Sequence, residues 1–389
     1  MKILLLIDTF YPVIGGITTV VDKTATLLSE YADVIVGAVK AKNYTDEEKK
    51  YKILRCNGYY SKITKDGFAF PKFDKEFVKT IVDWSPDIIH VHTAGNLMSF
   101  AYKLRRKLNV PVVATIHTEY YQCTKDIVKL KSIAKLVTGF LIKKNFKSNF
   151  VWTVSQTCKK QVLPYIKNKQ VEVVYNGTDL ADNEKYIALA NEFKKENNLD
   201  GKFIMSFVAR MVKLKNIDLI IDAMEIINRT QEINAKIILV GDGLDKKYFE
   251  DKVKNLGLEK YFMFTGMIRD REKIATIYKA SNLILFPSVC ETSGLTQIEA
   301  AAFSKPTLAI QGAAPSEAIV DGENGLTSQN TAQDYADKIL QAYNNRADLE
   351  SMGKNANQSV YISYNEDYAN KLMSLYQSYI DEFKNTKNN

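Results

Sequence analysis

Short, continuous apolar runs alternate with amphipathic helical stretches along nearly the whole chain, and this rhythm constrains the fold more than any other feature. In the first half the runs fall at 2–8, 33–39, 87–91, 111–116, 150–154 and 171–174. Strands written this way are buried on both faces, the habit of parallel sheets. Between them 17–30, 74–83 and 97–108 read as helices. In the second half strands fall at 202–208, 235–240, 261–265, 282–286 and 307–310. The helix predicted over 216–227 has Ile217, Leu219, Ile220, Ala223 and Met224 on one stripe. Repeated strand–helix units with right-handed crossovers make doubly wound sheets. The expected class is α/β, with two doubly wound Rossmann-like domains facing a cleft.

The expected bounds are 1–175 and 176–365, followed by a helix at 366–389 that crosses back to the first domain. Polar stretches at 40–52 and 175–199 read as connections, and 352–383 as one long helix. With 389 residues, 46% of them apolar and 25% charged, there is core material for two ordinary domains.

The four cysteines, Cys56, Cys123, Cys158 and Cys290, have no paired spacing, which argues against a disulfide framework or a zinc site and fits a reducing cytosol. No apolar stretch approaches the roughly 20 residues of a membrane span. The opening MKILLLIDTF has no small-residue cleavage site and reads as a first strand, not a signal peptide. The formal charge is +8. Lysines crowd 125–147, where Asp126 is the one acid, and Ile127, Leu130, Ala134, Val137 and Leu141 recur at helical spacing. Such a helix either lies on anionic lipid or is a domain helix with a solvated lysine face, and the sequence leaves both open. Lys129, Lys131 and Lys135 are its candidate membrane contacts. The aromatic–basic interleaving of nucleic-acid modules is absent, so nucleic acid is not an expected partner.

Polar residues collect at strand ends. In FPSVCETSGLTQIEAAAFSKP a strand stops at Pro287, a loop carries Glu291 and Gly294, and a helix opens near Thr296 with Glu299 in its first turn. A helix start at a strand end seats anions. Two carboxylates beside such a seat suit a ligand with hydroxyls at both ends and phosphates between, as in a nucleotide sugar. Glutamates also occur at helix starts for local reasons. FVARMVKLKN sets Arg210 and Lys215 at another strand end. Arginine offers phosphate a planar fork and lysine a point charge, although both are also ordinary surface residues.

In the first half, Gly15 and Gly16 follow the first strand, where glycine lets backbone N–H groups approach a ligand. A turn uses the same pair, and this is not the three-glycine dinucleotide fingerprint. His117 lies just past a strand end, where ligands bind in open sheets. His92 reads as a buried, hydrogen-bonded residue, and no third ligand accompanies His90 and His92 at a metal spacing. The chain has no Asp-x-Asp pair for a metal on a diphosphate. The cations Arg210 and Lys215 would then neutralise the leaving group.

The motifs FYPVIGGI, IIHVHT, ATIHTEYY, WTVS, VVYNGTDL, ARMVKLKN, LVGDG, FTGMI, the two-glutamate segment and DGENGL follow one another in this order. On them the chain resembles, over nearly its whole length, the retaining glycosyltransferases of family 4, which have the GT-B fold. The resemblance implies that Gly16 brings its N–H near the donor phosphate and that His117 meets the sugar, at its 6-hydroxyl. It implies that Arg210 and Lys215 grip the diphosphate and that Ile268 presents backbone groups to the base. Glu291 would bind sugar hydroxyls, Gly294, Leu295 and Thr296 would offer N–H groups, and Glu299 would bind the ribose. The anomeric configuration would be retained, with no metal and no cofactor beyond a UDP-sugar donor.

Ser304, in EAAAFSKP, stands where the family has glycine at a helix end. HTEYY, the basic helix and ETSGLT resemble the bacterial diacylglycerol glucosyltransferases. That implies UDP-glucose as donor, a membrane lipid such as diacylglycerol as acceptor, and a peripheral place at the cytoplasmic membrane face. A lipid-linked saccharide acceptor in capsule or cell-surface polysaccharide assembly stays open, as does a silent nucleotide-sugar-binding subunit.

Overall fold

The computed structural model describes residues 1–61, 66–118, 131–145, 147–166 and 170–388. The chain divides into two compact units, Met1–Asn176 with Tyr364–Asn389, and Gly177–Ser363.

The first unit is built on a seven-stranded, wholly parallel sheet. Its strands are β1 (Lys2–Ile7), β2 (Asp33–Val39), β3 (Lys52–Cys56), β6 (Ile88–Val91), β7 (Val112–Ile116), β8 (Phe150–Thr153) and β9 (Val171–Val173), in the order β3-β2-β1-β6-β7-β8-β9. A small antiparallel hairpin, β4 (Gly58–Tyr60) with β5 (Gly67–Ala69), follows β3. Alternate residues of the sheet feed two cores. One face is covered by α1 (Gly16–Leu28) and the last helix, and the other by α2 (Lys75–Trp84), α3 (Asn96–Leu108), α4 (Lys131–Asn145) and α5 (Gln156–Val162).

The second unit carries a six-stranded parallel sheet. Its strands are β10 (Phe203–Val208), β11 (Ala235–Val240), β12 (Phe262–Gly266), β13 (Leu283–Phe286), β14 (Thr307–Ile310) and β15 (Leu326–Ser328). Their order is β12-β11-β10-β13-β14-β15, so the strand sequence reverses direction between β10 and β13. The helices are α6 (Lys185–Glu196), α7 (Ile217–Thr230), α8 (Lys246–Asn255), α9 (Arg271–Ala280), α10 (Leu295–Ala302), α11 (Ala332–Asn344) and α12 (Arg346–Ser359). Both units therefore have the doubly wound topology that the apolar rhythm predicts.

Three sequence expectations change. Residues 52–56, at the end of the polar stretch, form a strand. KILRC is an edge strand with only its last residue fully buried, so it lacks the continuous apolar signature of an inner strand. The stretch before it is tied down, since Arg55 donates to Asp46 Oδ2 (2.9 Å), Val39 O (2.8 Å) and Tyr11 O (2.9 Å). The polar stretch at 175–199 contains α6, which buries only the narrow stripe of Tyr186 and Ala190. The single helix expected over 352–383 is two. The chain leaves α12 at Val360, pairs Ser363 with Thr178, and then enters α13 (Glu366–Asn388), which belongs to the first unit.

On α4 the buried positions include Thr138 and Ile142, while Ile133, Leu136 and Phe140 are exposed. Apolar residues fall on more than one side of this helix, between its lysines, so the sequence period fits more than one phase. Ile127, Leu130 and Lys129 lie outside the described residues. No helix among the described residues is long and apolar enough to cross a membrane.

Candidate functional site

In the second unit the carboxyl ends of β10 and β13 lie side by side, where an open α/β sheet leaves a crevice. The chain leaving β10 passes Arg210 and makes a 3-10 turn at Lys213–Lys215. Asn216 closes the turn in the left-handed region (φ 57°) and donates from Nδ2 to Pro287 O at 3.0 Å. That bond ties the turn to the end of β13. Lys215 consequently meets Glu291 in a direct ion pair, with both side chains mostly out of solvent. Arg210 is exposed and has no ion pair among the described residues.

The neighbouring LVGDG loop presses on the same backbone. A Cβ at Gly241 (φ 141°) would lie 1.9 Å from Ala209 O, and one at Gly243 would lie 2.3 Å from Met211 O. Only glycine allows this approach.

Helix α10 begins at Leu295, with Gly294 as its N-cap and no side chain capping it. Its first N–H groups thus lack intrahelical partners and form an anion seat. The Thr296 hydroxyl donates to Val208 O (3.0 Å), fixing the helix start to the end of β10. Ile268 follows β12 and turns its side chain towards a core cluster that includes Val240 and Ile277.

Glu299 is 6% exposed, and each of its oxygens accepts one side-chain hydrogen bond. Arg271 Nη1 donates to Oε1 at 2.8 Å and Tyr278 OH to Oε2 at 2.8 Å. Arg271 also reaches Asp179 Oδ1 at 2.7 Å. Burial alone would lower the Arg271 pKa, but Glu299 and Asp179 outweigh it and raise it. Burial and the Glu299 charge push the Tyr278 hydroxyl far above its ordinary range. Sequence reading missed Arg271, Tyr278 and Asp179. A polar residue in a helix carries no mark of which distant carboxylate it faces.

In the first unit, Gly16 opens α1, and a Cβ at Gly15 or Gly16 would meet nothing within 4 Å. Packing therefore does not require these glycines. His117 follows β7, and His92 Nδ1 lies 3.1 Å from its Nε2. His92 is buried, and its own Nε2 has no hydrogen-bond partner among the described residues. His90 is held by Tyr376 OH and Thr115 Oγ1, each at 2.6 Å. Burial lowers the pKa of all three histidines, that of His117 to about 4, so they are neutral at pH 7. Asp8 accepts from Thr93 Oγ1 (2.6 Å), ahead of α3, and from Leu97 N (3.3 Å) in its first turn, and burial raises its pKa to about 6.

Lys135 is exposed on α4, while the side chain of Lys131 is outside the described set. Ser304 has φ 54°, the left-handed geometry that the departure from glycine implied.

Two parallel sheets of this order, with glycines, cations and an open helix start gathered at strand ends, define a GT-B glycosyltransferase architecture. The glycosyl transferases group 1 model matches residues 190–359, and the Glycosyltransferase Family 4 model matches residues 14–182. The chain belongs to glycosyltransferase family 4 and is a transferase of EC class 2.4.

Among curated relatives it is 24% identical to the alpha-monoglucosyldiacylglycerol synthase of Acholeplasma laidlawii, covering 100% of this chain and 99% of the relative. It is 26% identical to the enzyme of the same name from Streptococcus pneumoniae, covering 79% and 71%. Among solved structures, the sucrose-phosphate synthase of Thermosynechococcus elongatus superposes with a TM-score of 0.82 at 21% identity, covering 97% and 98%. Anabaena Alr3699/HepE in complex with UDP gives a TM-score of 0.75 at 18% identity, covering 97% and 100%.

Proposed function

We propose that this protein transfers a hexose, glucose in the first instance, from a UDP-sugar to a membrane lipid such as diacylglycerol, without a metal and with retention at the anomeric carbon. The observation that carries the donor half is the Lys215–Glu291 pair beside the uncapped start of α10, at the point where the strand order reverses. The UDP complex of Alr3699/HepE and the names of the lipid synthases support the donor and acceptor classes.

In this reading Arg210, Lys215 and the N–H groups of Gly294, Leu295 and Thr296 stabilise the departing diphosphate. Gly16 contributes a further N–H from open space. Glu299 takes the ribose hydroxyls, and Ile268 offers its backbone to the base. Glu291 holds sugar hydroxyls, with His117 as a neutral hydrogen-bonding group. The C1–O bond to the β-phosphate breaks as the acceptor oxygen bonds to C1 on the same face. The acceptor proton passes to the departing phosphate oxygen. Lys129, Lys131 and Lys135 meet anionic lipid at the cytoplasmic face of the membrane, where the protein sits peripherally.

The test is UDP release from UDP-glucose with diacylglycerol vesicles, with and without EDTA, and the product anomer read by NMR. Full activity in Lys215→Ala would remove the site assignment. Inversion of the anomer, or loss of activity in EDTA, would remove the proposed chemistry.

A further inference from the structure

The hairpin of the first unit and the turn after it expose an aromatic cluster that the donor chemistry does not use. Phe73, in the 3-10 turn Pro71–Phe73, is 81% exposed, and Tyr59 is 52% exposed, with Phe68 and Phe70 beside them. The Tyr59 ring stacks on Phe68 at 5.1 Å and lies 5.8 Å from Phe70. Rings gathered in this way at one surface are an apolar patch, not scattered exposure.

A basic border adjoins the patch. Lys72 lies close enough to Lys103 of α3 to lower its pKa, and Lys103, Arg106 and Lys107 are all exposed. The nearby acid Asp74 is already committed, to Phe77 N and Asn57 N. The hairpin, α2, α3 and α4 all cover one face of the sheet, and Arg105 of α3 reaches Lys147 O just beyond α4. The exposed Leu136 of α4 (75%) and Lys135 belong to that same layer.

We propose that this layer of the first unit docks on an anionic bilayer, with Phe73 and the hairpin rings entering the headgroup boundary and the Lys72–Lys103–Arg106 border against lipid phosphates. Aromatic rings favour that depth, and basic residues favour a negative surface. The proposal rests on the lipid-acceptor reading for its purpose, and on the exposed rings and adjacent charge for its location.

The probe is Phe73→Trp, a change at an exposed site, mixed with phosphatidylglycerol–phosphatidylcholine vesicles carrying brominated acyl chains. The native protein supplies the background of Trp84 and Trp152. The added indole should shift to the blue and be quenched. Phe73→Ser should lower vesicle partitioning roughly tenfold, as loss of one buried phenyl ring predicts. Lys72→Glu with Lys103→Glu should lower it further, as should high salt.

An unquenched probe on protein that still floats with vesicles would overturn the proposal, and so would failure to bind vesicles at all. Sedimentation that shifts from dimer to monomer in Phe73→Ser would assign the patch to a second copy of this chain and overturn it too. UDP release with detergent-dispersed acceptor should be unchanged by Phe73→Ser. If quenching occurs and UDP is released with no lipid, the docking face stands and the acceptor reading falls.

Discussion

The two units have the same strand logic and end their strands in opposite electrostatic states. In the second unit the strand ends carry formal charge: Lys215 on Glu291, and Arg271 shared between Glu299 and Asp179. In the first unit they carry neutral histidines, with His92 bonded to His117, and an Asp8 whose pKa burial has raised. One topology thus provides both a charged strand-end site and an uncharged one. The difference follows from burial: carboxylates and cations stay ionised when paired with opposite charge, whereas burial favours the neutral form of the imidazoles and of Asp8.

The sharpest way to break this contrast is to remove charge from the second unit. Lys215→Ala should lower kcat/KM for the UDP-sugar by roughly 100-fold or more and weaken UDP binding measured by calorimetry, on the scale of losing one electrostatic donor. Glu291→Gln should lower turnover comparably while leaving UDP affinity nearly intact, since UDP lacks the sugar. His117→Ala should lower turnover by roughly 10- to 100-fold with UDP affinity unchanged. Equal weakening of UDP by the Glu291 and His117 variants would contradict the division of labour.

Acid should separate the units next. The His117 pKa is depressed from 6.5 to about 4. Its contribution to stability is complete above pH 6.5 and is lost as pH falls towards 4, because the unfolded chain takes the proton first. This amounts to about 2 kcal/mol between pH 7 and pH 5, and His90 and His92 act in the same direction. Asp8 opposes them. Its pKa rises from 3.8 to about 6, so its contribution is complete below 3.8 and lost as pH rises through 6. Denaturant titration at the two pH values should show a net loss in acid, and His117→Asn should reduce it.

The smallest expected effect is at Ser304. Its left-handed backbone is strained for any side chain, so Ser304→Gly should raise stability by about 0.5–1 kcal/mol with activity unchanged.

The inner strands were legible because they are buried on both sides and must be apolar throughout. β3 was not, because an edge strand shows water one side, and α6 was not, because it buries a narrow stripe. Lys215 and Glu291 could be marked as strand-end residues, and that they touch depends on β10 and β13 being neighbours. Arg271 and Tyr278 left no local trace, since their importance lies in reaching Glu299 from another helix.

The sequence by itself determined two parallel sheets and the positions where backbone leaves them, because periodicity and glycine placement are local properties. Tertiary structure alone decided which side chains meet there. It set Arg271 against Glu299, carried Tyr376 of the last helix back to His90, and brought the hairpin rings of Tyr59 and Phe68 together. The first two contacts join residues far apart in the chain, through the fold of the second sheet and the path of the last helix, whereas the two rings meet across the register of the β4–β5 hairpin.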